Sequence, residues 1–131
     1  MIQRRTFTVG AAALLAAPLI KAQNLPNGPI RIVVGFAPGG GTDILARVIG
    51  QKLSTMWNTQ ILVENRAGAT GVIAADYVSK AVPDGTTLLM AHINSHAIAP
   101  ALFPKMTYDA NKDFTPLVLV GVTPNLLIGN E

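Results

Sequence analysis

The stretch PIRIVVGFAPGGGTDILARVIGQKL, residues 29–53, decides the fold. Its first part is dense in Ile and Val and predicts a buried strand over residues 29–36. In its last part Ile44, Leu45, Val48, Ile49 and Leu53, continued by Met56, recur at three- and four-residue spacing. That spacing predicts a helix capped by Thr42 and ending around Trp57–Asn58. Between the two stand Gly39, Gly40 and Gly41. Ordering so flexible a backbone costs conformational entropy, so the three glycines imply that something comes close to the main chain there.

The pattern repeats outward from this unit. QILVEN (60–65) and TTLLMA (86–91) predict two further strands, and GVIAADYVSKA (71–81) a second helix closed by the Pro83-Asp84-Gly85 turn. Alternating strands and helices specify an α/β fold with a mostly parallel sheet, joined by right-handed crossovers and flanked by helices. In such sheets ligands lie beyond the carboxyl ends of the strands. Three loops occupy those ends: APGGGT (37–42), RAGATG (66–71) and HINSH (92–96). Main-chain N–H groups at glycines, together with the positive end of a helix, favour an anion. A tight turn with close helix packing would account for one such loop; two side by side favour a ligand pocket.

Other chemistries fit less well. PGGGTD lacks the Gly-Lys-Ser/Thr of a nucleotide P-loop, and Ile44 stands where a dinucleotide fingerprint needs glycine. His92 and His96 are four apart, but no carboxylate or cysteine lies near and the segment reads as a loop, so no metal site is expected. Asp43 can serve the helix dipole or receive a ligand amine, with the dipole role favoured. Asn94 and Ser95 suit either a turn or a ligand contact. Glu64-Asn65-Arg66 reads as an ion pair or a hydrogen-bonding set at a strand end. No nucleophile with a base partner is evident, so catalysis is not supported, and no cofactor motif appears.

Half of the 131 residues are hydrophobic (50%) and only 13% are charged, with no cysteine, which describes a folded chain without disulfides. Arg4, Arg5 and Lys21 account for the formal charge of +3, because the Lys/Arg and Asp/Glu beyond Ala22 balance. A neutral body without a basic stripe argues against nucleic acid or anionic lipid as partner. The leading charges belong to an export leader. Met1–Arg5 is its positive region, Val9–Ile20 its apolar stretch, and Ala22 the expected cleavage point. RRTFTV has the twin-arginine arrangement. The apolar stretch is too short for an ordinary membrane span, so an envelope location is expected, with no stable membrane insertion after cleavage.

Residues 29–53 together with ILVENRAGATGVIAADYVSKAVPDGTTLLMA, HAIAPALFPKMTYDANKDFTPLVLV and PNLLIGNE resemble the Bug-type extracytoplasmic solute receptors, the substrate-binding components of tripartite tricarboxylate transporters. The resemblance runs from about Pro26 to Glu131. It implies a periplasmic-binding-protein type 2 fold, in which two α/β lobes close on a small carboxylated solute held by loop backbone and ordered water. It further implies membrane transporter subunits as partners. By matching motif positions, the implied ligand-facing residues are Ala37, Gly39, Gly40, Gly41, Thr42 and Asp43 in the first loop. Gly68, Ala69, Thr70 and Gly71 follow in the second, and Asn94 and Ser95 in the third. Ala37 stands where the family often carries a second proline.

Against the two-lobe pattern, residues 23–113 are expected to form the first lobe, and residues 114–131 the crossing segment and the start of a second lobe that is largely missing. LVLV and LLIG would then present apolar strand edges without partners, so poor solubility or dimerisation of the isolated chain is expected. Three functions remain open: a binding protein for a transporter, a ligand receptor for a sensor kinase, and an enzyme acting on a small acid within the same scaffold.

Overall fold

The computed structural model describes Pro26, residues 28–122 and Gly129. The expected export leader and most of the LLIG segment therefore lie outside the described residues. Three parallel strands, β1 (Ile30–Val34), β2 (Ile61–Asn65) and β3 (Thr87–Met90), form one sheet in the order β2-β1-β3. Ile30 pairs with Ile61 on one side, and Arg31 with Thr87 on the other. β1 is thus the central strand. Its sequence is apolar almost throughout because both of its faces are covered.

The two-residue alternation of β1 divides those faces. Ile32 and Val34 point toward the helix α1 (Gly41–Trp57), where Ala46 completes a buried cluster edged by Ile61, Val63, Leu88 and Met90. Val33, fully buried, lies on the opposite side of the strand. Gly35 continues that side, and a Cβ built there would stand 3.3 Å from the Cβ of Ala74 in the helix α2 (Val72–Ser79). The helices therefore sandwich the sheet, as a right-handed β-α-β-α-β chain requires.

α1 meets the sheet through small residues, with Asp43, Ala46 and Gly50 buried. A Cβ built on Gly50 would come within 3.3 Å of the Ile61 side chain, so the helix axis lies close to β2. Ile44, Leu45, Val48 and Met56, which signalled the helix in the sequence, stand 48–65% exposed. The helix ends as expected: Asn58 adopts the left-handed conformation (φ 49°) and its N–H donates to the Ser54 carbonyl. Its start differs from expectation. The N-cap is Gly40, and no side chain caps the helix, so Thr42 is not the cap.

Two further differences follow β3. The HINSH segment is helical and not a loop: a π-turn over Asn94–Ile98 leads into α3 (Ala99–Leu102). Contacts distant in sequence hold it. The Tyr108 hydroxyl donates to the Ser95 carbonyl, and the His96 ring packs 4.8 Å from that of Phe114. LVLV (117–120), expected as a strand, is not one, and Leu117, Val118 and Leu119 are 73–79% exposed.

Candidate functional site

The three strand-end loops converge. Phe36, at the head of the first loop, lies 3.7 Å from a Cβ built on Gly71 in the second, and its ring meets the His92 ring of the third at 4.9 Å. Ser95 stands 3.6 Å from the same Gly71 position. The junction rests on a close backbone approach at Gly35, where a Cβ would lie 2.7 Å from the Cα of Gly71. The sequence reading missed Gly35; its only signal was a glycine at the very end of an Ile/Val strand.

In the first loop the three consecutive glycines divide by role. Gly39 has φ +87°, a left-handed conformation that side chains disfavour, so the fold itself explains it. Gly40 and Gly41 are different. Neither has a positive φ; nothing lies within 4 Å of a Cβ built on Gly41, and only the Ala37 carbonyl, at 3.6 Å, near one on Gly40. Neither backbone strain nor packing among the described residues demands glycine there. Their N–H groups, with those of Thr42 and Asp43, have no acceptor among the described residues, since the first bond of the helix start runs from Ile44 N–H to the Gly40 carbonyl. Ala37 is exposed and Thr42 half-buried beside these donors.

Asp43 departs from its expected ligand-facing place. It is 2% exposed and its carboxylate turns inward. Oδ2 accepts the Gly39 N–H at 2.8 Å, Oδ1 accepts Asn65 Nδ2 at 2.8 Å, and Arg47 Nε donates to both oxygens at 3.1 and 3.0 Å. Both oxygens are engaged, so no lone pair faces a ligand amine. The Arg47 guanidinium, then the Gly39 and Asn65 donors, hold this carboxyl far below the usual carboxylate range.

A carboxyl depressed on folding stabilises the native state above its unfolded value, near 3.9, and that stabilisation fades as pH falls further. Asp43→Asn is therefore expected to lower the denaturant midpoint by a constant amount from pH 7 to pH 5, with the difference narrowing below about pH 4. An equal difference at pH 2 would show that the ionised form is not what matters.

The second loop carries a rare backbone. Gly68, Ala69, Thr70 and Gly71 have φ of 141°, 44°, 54° and 94° in succession, and Ala69 and Thr70 are exposed. Left-handed conformations cost side-chain-bearing residues roughly 1–2 kcal/mol each. Such strain collects where a chain is shaped for a ligand.

In the third loop Asn94 donates its N–H to His92 Nδ1 at 3.2 Å. Ser95, 2% exposed, turns inward like Asp43, its Oγ donating to the His92 carbonyl at 3.1 Å and pairing with His96 Nδ1 at 2.9 Å. Burial pushes His96 below its ordinary value. No cluster of three or more metal-ligating side chains occurs among the described residues. Glu64 and Arg66 form an ion pair at 2.7 Å, with the guanidinium 3.6 Å above the Tyr77 ring. Asn65, read in the sequence only as part of a strand end, has the larger role, because its Nδ2 also donates to the Phe36 carbonyl at 3.1 Å. Two shallow grooves lie away from the loops, one of about 570 Å³ between α1 and the β2 edge and one of about 470 Å³ near Val82 and Phe114.

The profile of the tripartite tricarboxylate transporter family receptors (TctC) matches residues 45–130. The chain belongs to this receptor family. Among TctC relatives, the chain is 39% identical to protein BugT of Bordetella pertussis over 121 residues, covering 92% of this chain and 37% of BugT. MatC from Rhodopseudomonas palustris, solved with bound malate, is 44% identical and superposes with a TM-score of 0.69, over 73% of this chain and 33% of MatC. The periplasmic binding protein BugD superposes at 0.66 with 35% identity, over 70% of this chain and 30% of BugD. The chain thus spans little more than a third of the TctC relatives it matches, and the superposed part is an α/β lobe of a periplasmic binding protein.

Proposed function

We propose that this TctC chain forms the part of a periplasmic receptor that grips one carboxylate of a small organic acid, which the receptor presents to the membrane subunits of a tripartite transporter. One observation carries the reading. Gly40 and Gly41 lack side chains for no reason internal to the described fold, and the N–H groups around them have no acceptor there. A carboxylate needs that combination, several convergent donors at a helix N-terminus with nothing in front of them. Gly39, Thr42, Gly68, Ala69, Thr70, Gly71 and Asn94 border the same end of the sheet, and Ala37 leads into it.

The family supports the transport role, and the malate bound to MatC supports the chemical class. Residues 1–22 supply the export signal in this reading, with cleavage after Ala22, and residues 114–131 the passage toward a second lobe. No helix among the described residues is long and apolar enough to cross a membrane.

Calorimetric titration of the full-length gene product with malate, succinate and glutarate tests the reading. Saturable binding of at least one acid is expected, with the acid recovered unchanged by mass spectrometry after long incubation. Binding of none would refute the carboxylate assignment, and conversion to a product would replace a binding protein by an enzyme.

A further inference from the structure

We propose that Asp43, Arg47 and Asn65 form a positioning set that shapes the first loop for its ligand while none of the three touches it. The inference rests on the carboxylate reading above and assigns a task to buried groups which that reading leaves unused.

The three residues come from two elements and meet behind the loop. Asp43 and Arg47 lie one turn apart on α1, and Asn65 ends β2. Asn65 holds the loop at its entry through the Phe36 carbonyl, and Asp43 holds it at its middle through the Gly39 N–H. Arg47 closes the set, donating to Asp43 through Nε and to Asn65 Oδ1 through Nη2 at 3.0 Å. The bonds from Asn65 span 22 and 29 residues of sequence, so they tie the first turn of α1 and the entry of the loop to the sheet.

Two consequences bear on the ligand. The set consumes the Gly39 N–H and holds Gly39 in its left-handed conformation, while the N–H groups that follow have no partner among the described residues. It also places a carboxylate directly behind a site meant for an anion, and Arg47 offsets that charge at 3.0 Å. If Asp43 acted only through its charge, removing the charge would strengthen anion binding. If it acts by holding Gly39, removing it weakens binding. The two roles predict opposite signs.

The test uses the full-length product of the gene, ¹⁵N-labelled, with malate as probe, followed by succinate and glutarate. Asp43→Asn is expected to weaken affinity at least about tenfold, the loss of one charge-assisted hydrogen bond, and to shift the Gly39 amide resonance. Asn65→Ala, which keeps the Asp43–Arg47 pair, is expected to do the same and serves if Asp43→Asn does not fold. Affinity that rises or stays level in folded variants overturns the proposal. Should the wild type bind none of the three acids, the carboxylate reading fails by itself, and the positioning set is then judged on the Gly39 amide. Faster hydrogen exchange there in Asp43→Asn supports it, and an unchanged amide overturns it.

Discussion

Gly35→Val is expected to be the most damaging single substitution in the described chain. The first added carbon would sit 2.7 Å from the Cα of Gly71 and 3.3 Å from the Ala74 side chain. The nearer atom is backbone and cannot swing aside, so β1 and the second loop must separate. Overpacking of this kind costs roughly 1–3 kcal/mol for a few methylenes in a compliant core, and more against a fixed main chain. Thermal unfolding should fall by about 10 °C or more for a domain of this size, read by circular dichroism beside Gly40→Ala as a control in open space. A Gly35→Val protein that melts with the wild type would mean that the two loops do not meet as described.

The second large effect is on binding and not on stability. Gly40 has extended backbone angles (φ −74°, ψ 163°), which valine adopts readily, and its Cβ would meet only the Ala37 carbonyl, at 3.6 Å. Gly40→Val should therefore fold, with a stability change within about 1 kcal/mol. Its isopropyl group would nevertheless stand in front of the N–H groups of Gly41 and Thr42 and keep a carboxylate from reaching them. Losing one charge-assisted hydrogen bond at roughly 1.5–3 kcal/mol corresponds to at least about a tenfold loss of affinity, and losing two to at least about a hundredfold. Calorimetric titration of the full-length protein separates this from unfolding, because the melting curve and the binding isotherm should move independently. Wild-type affinity in Gly40→Val would remove the steric argument for the loop.

These two glycines show where sequence reasoning ends. The strand-helix alternation was legible because β1 is apolar on both faces and α1 closes on Asn58, both local signals. The glycine run pointed correctly to the loop, but its three members look alike in sequence. Only the angles separate Gly39, which the backbone requires, from Gly40 and Gly41, which it does not. The apolar spacing of α1 located the helix yet not the surface it buries, because close packing on β2 selected Ala46 and Gly50 over the larger Val48 and Met56. Asp43 carries an ordinary first-turn signal, and nothing nearby in sequence announces that Asn65 will turn its carboxylate inward from 22 positions away. The π-turn at Asn94–Ile98 escaped for the same reason, since Tyr108 and Phe114 hold it from outside the segment.

The most direct measurement of the central claim is a crystal structure of the full-length protein soaked with malate or another dicarboxylate that it binds. One carboxylate should lie within a hydrogen bond, or one bridging water, of the N–H groups of Gly40, Gly41 and Thr42, with the Asp43 carboxylate still bonded to Gly39 behind the loop. A ligand seated away from the strand ends, or these N–H groups occupied by the protein's own carbonyls in that structure, would contradict it.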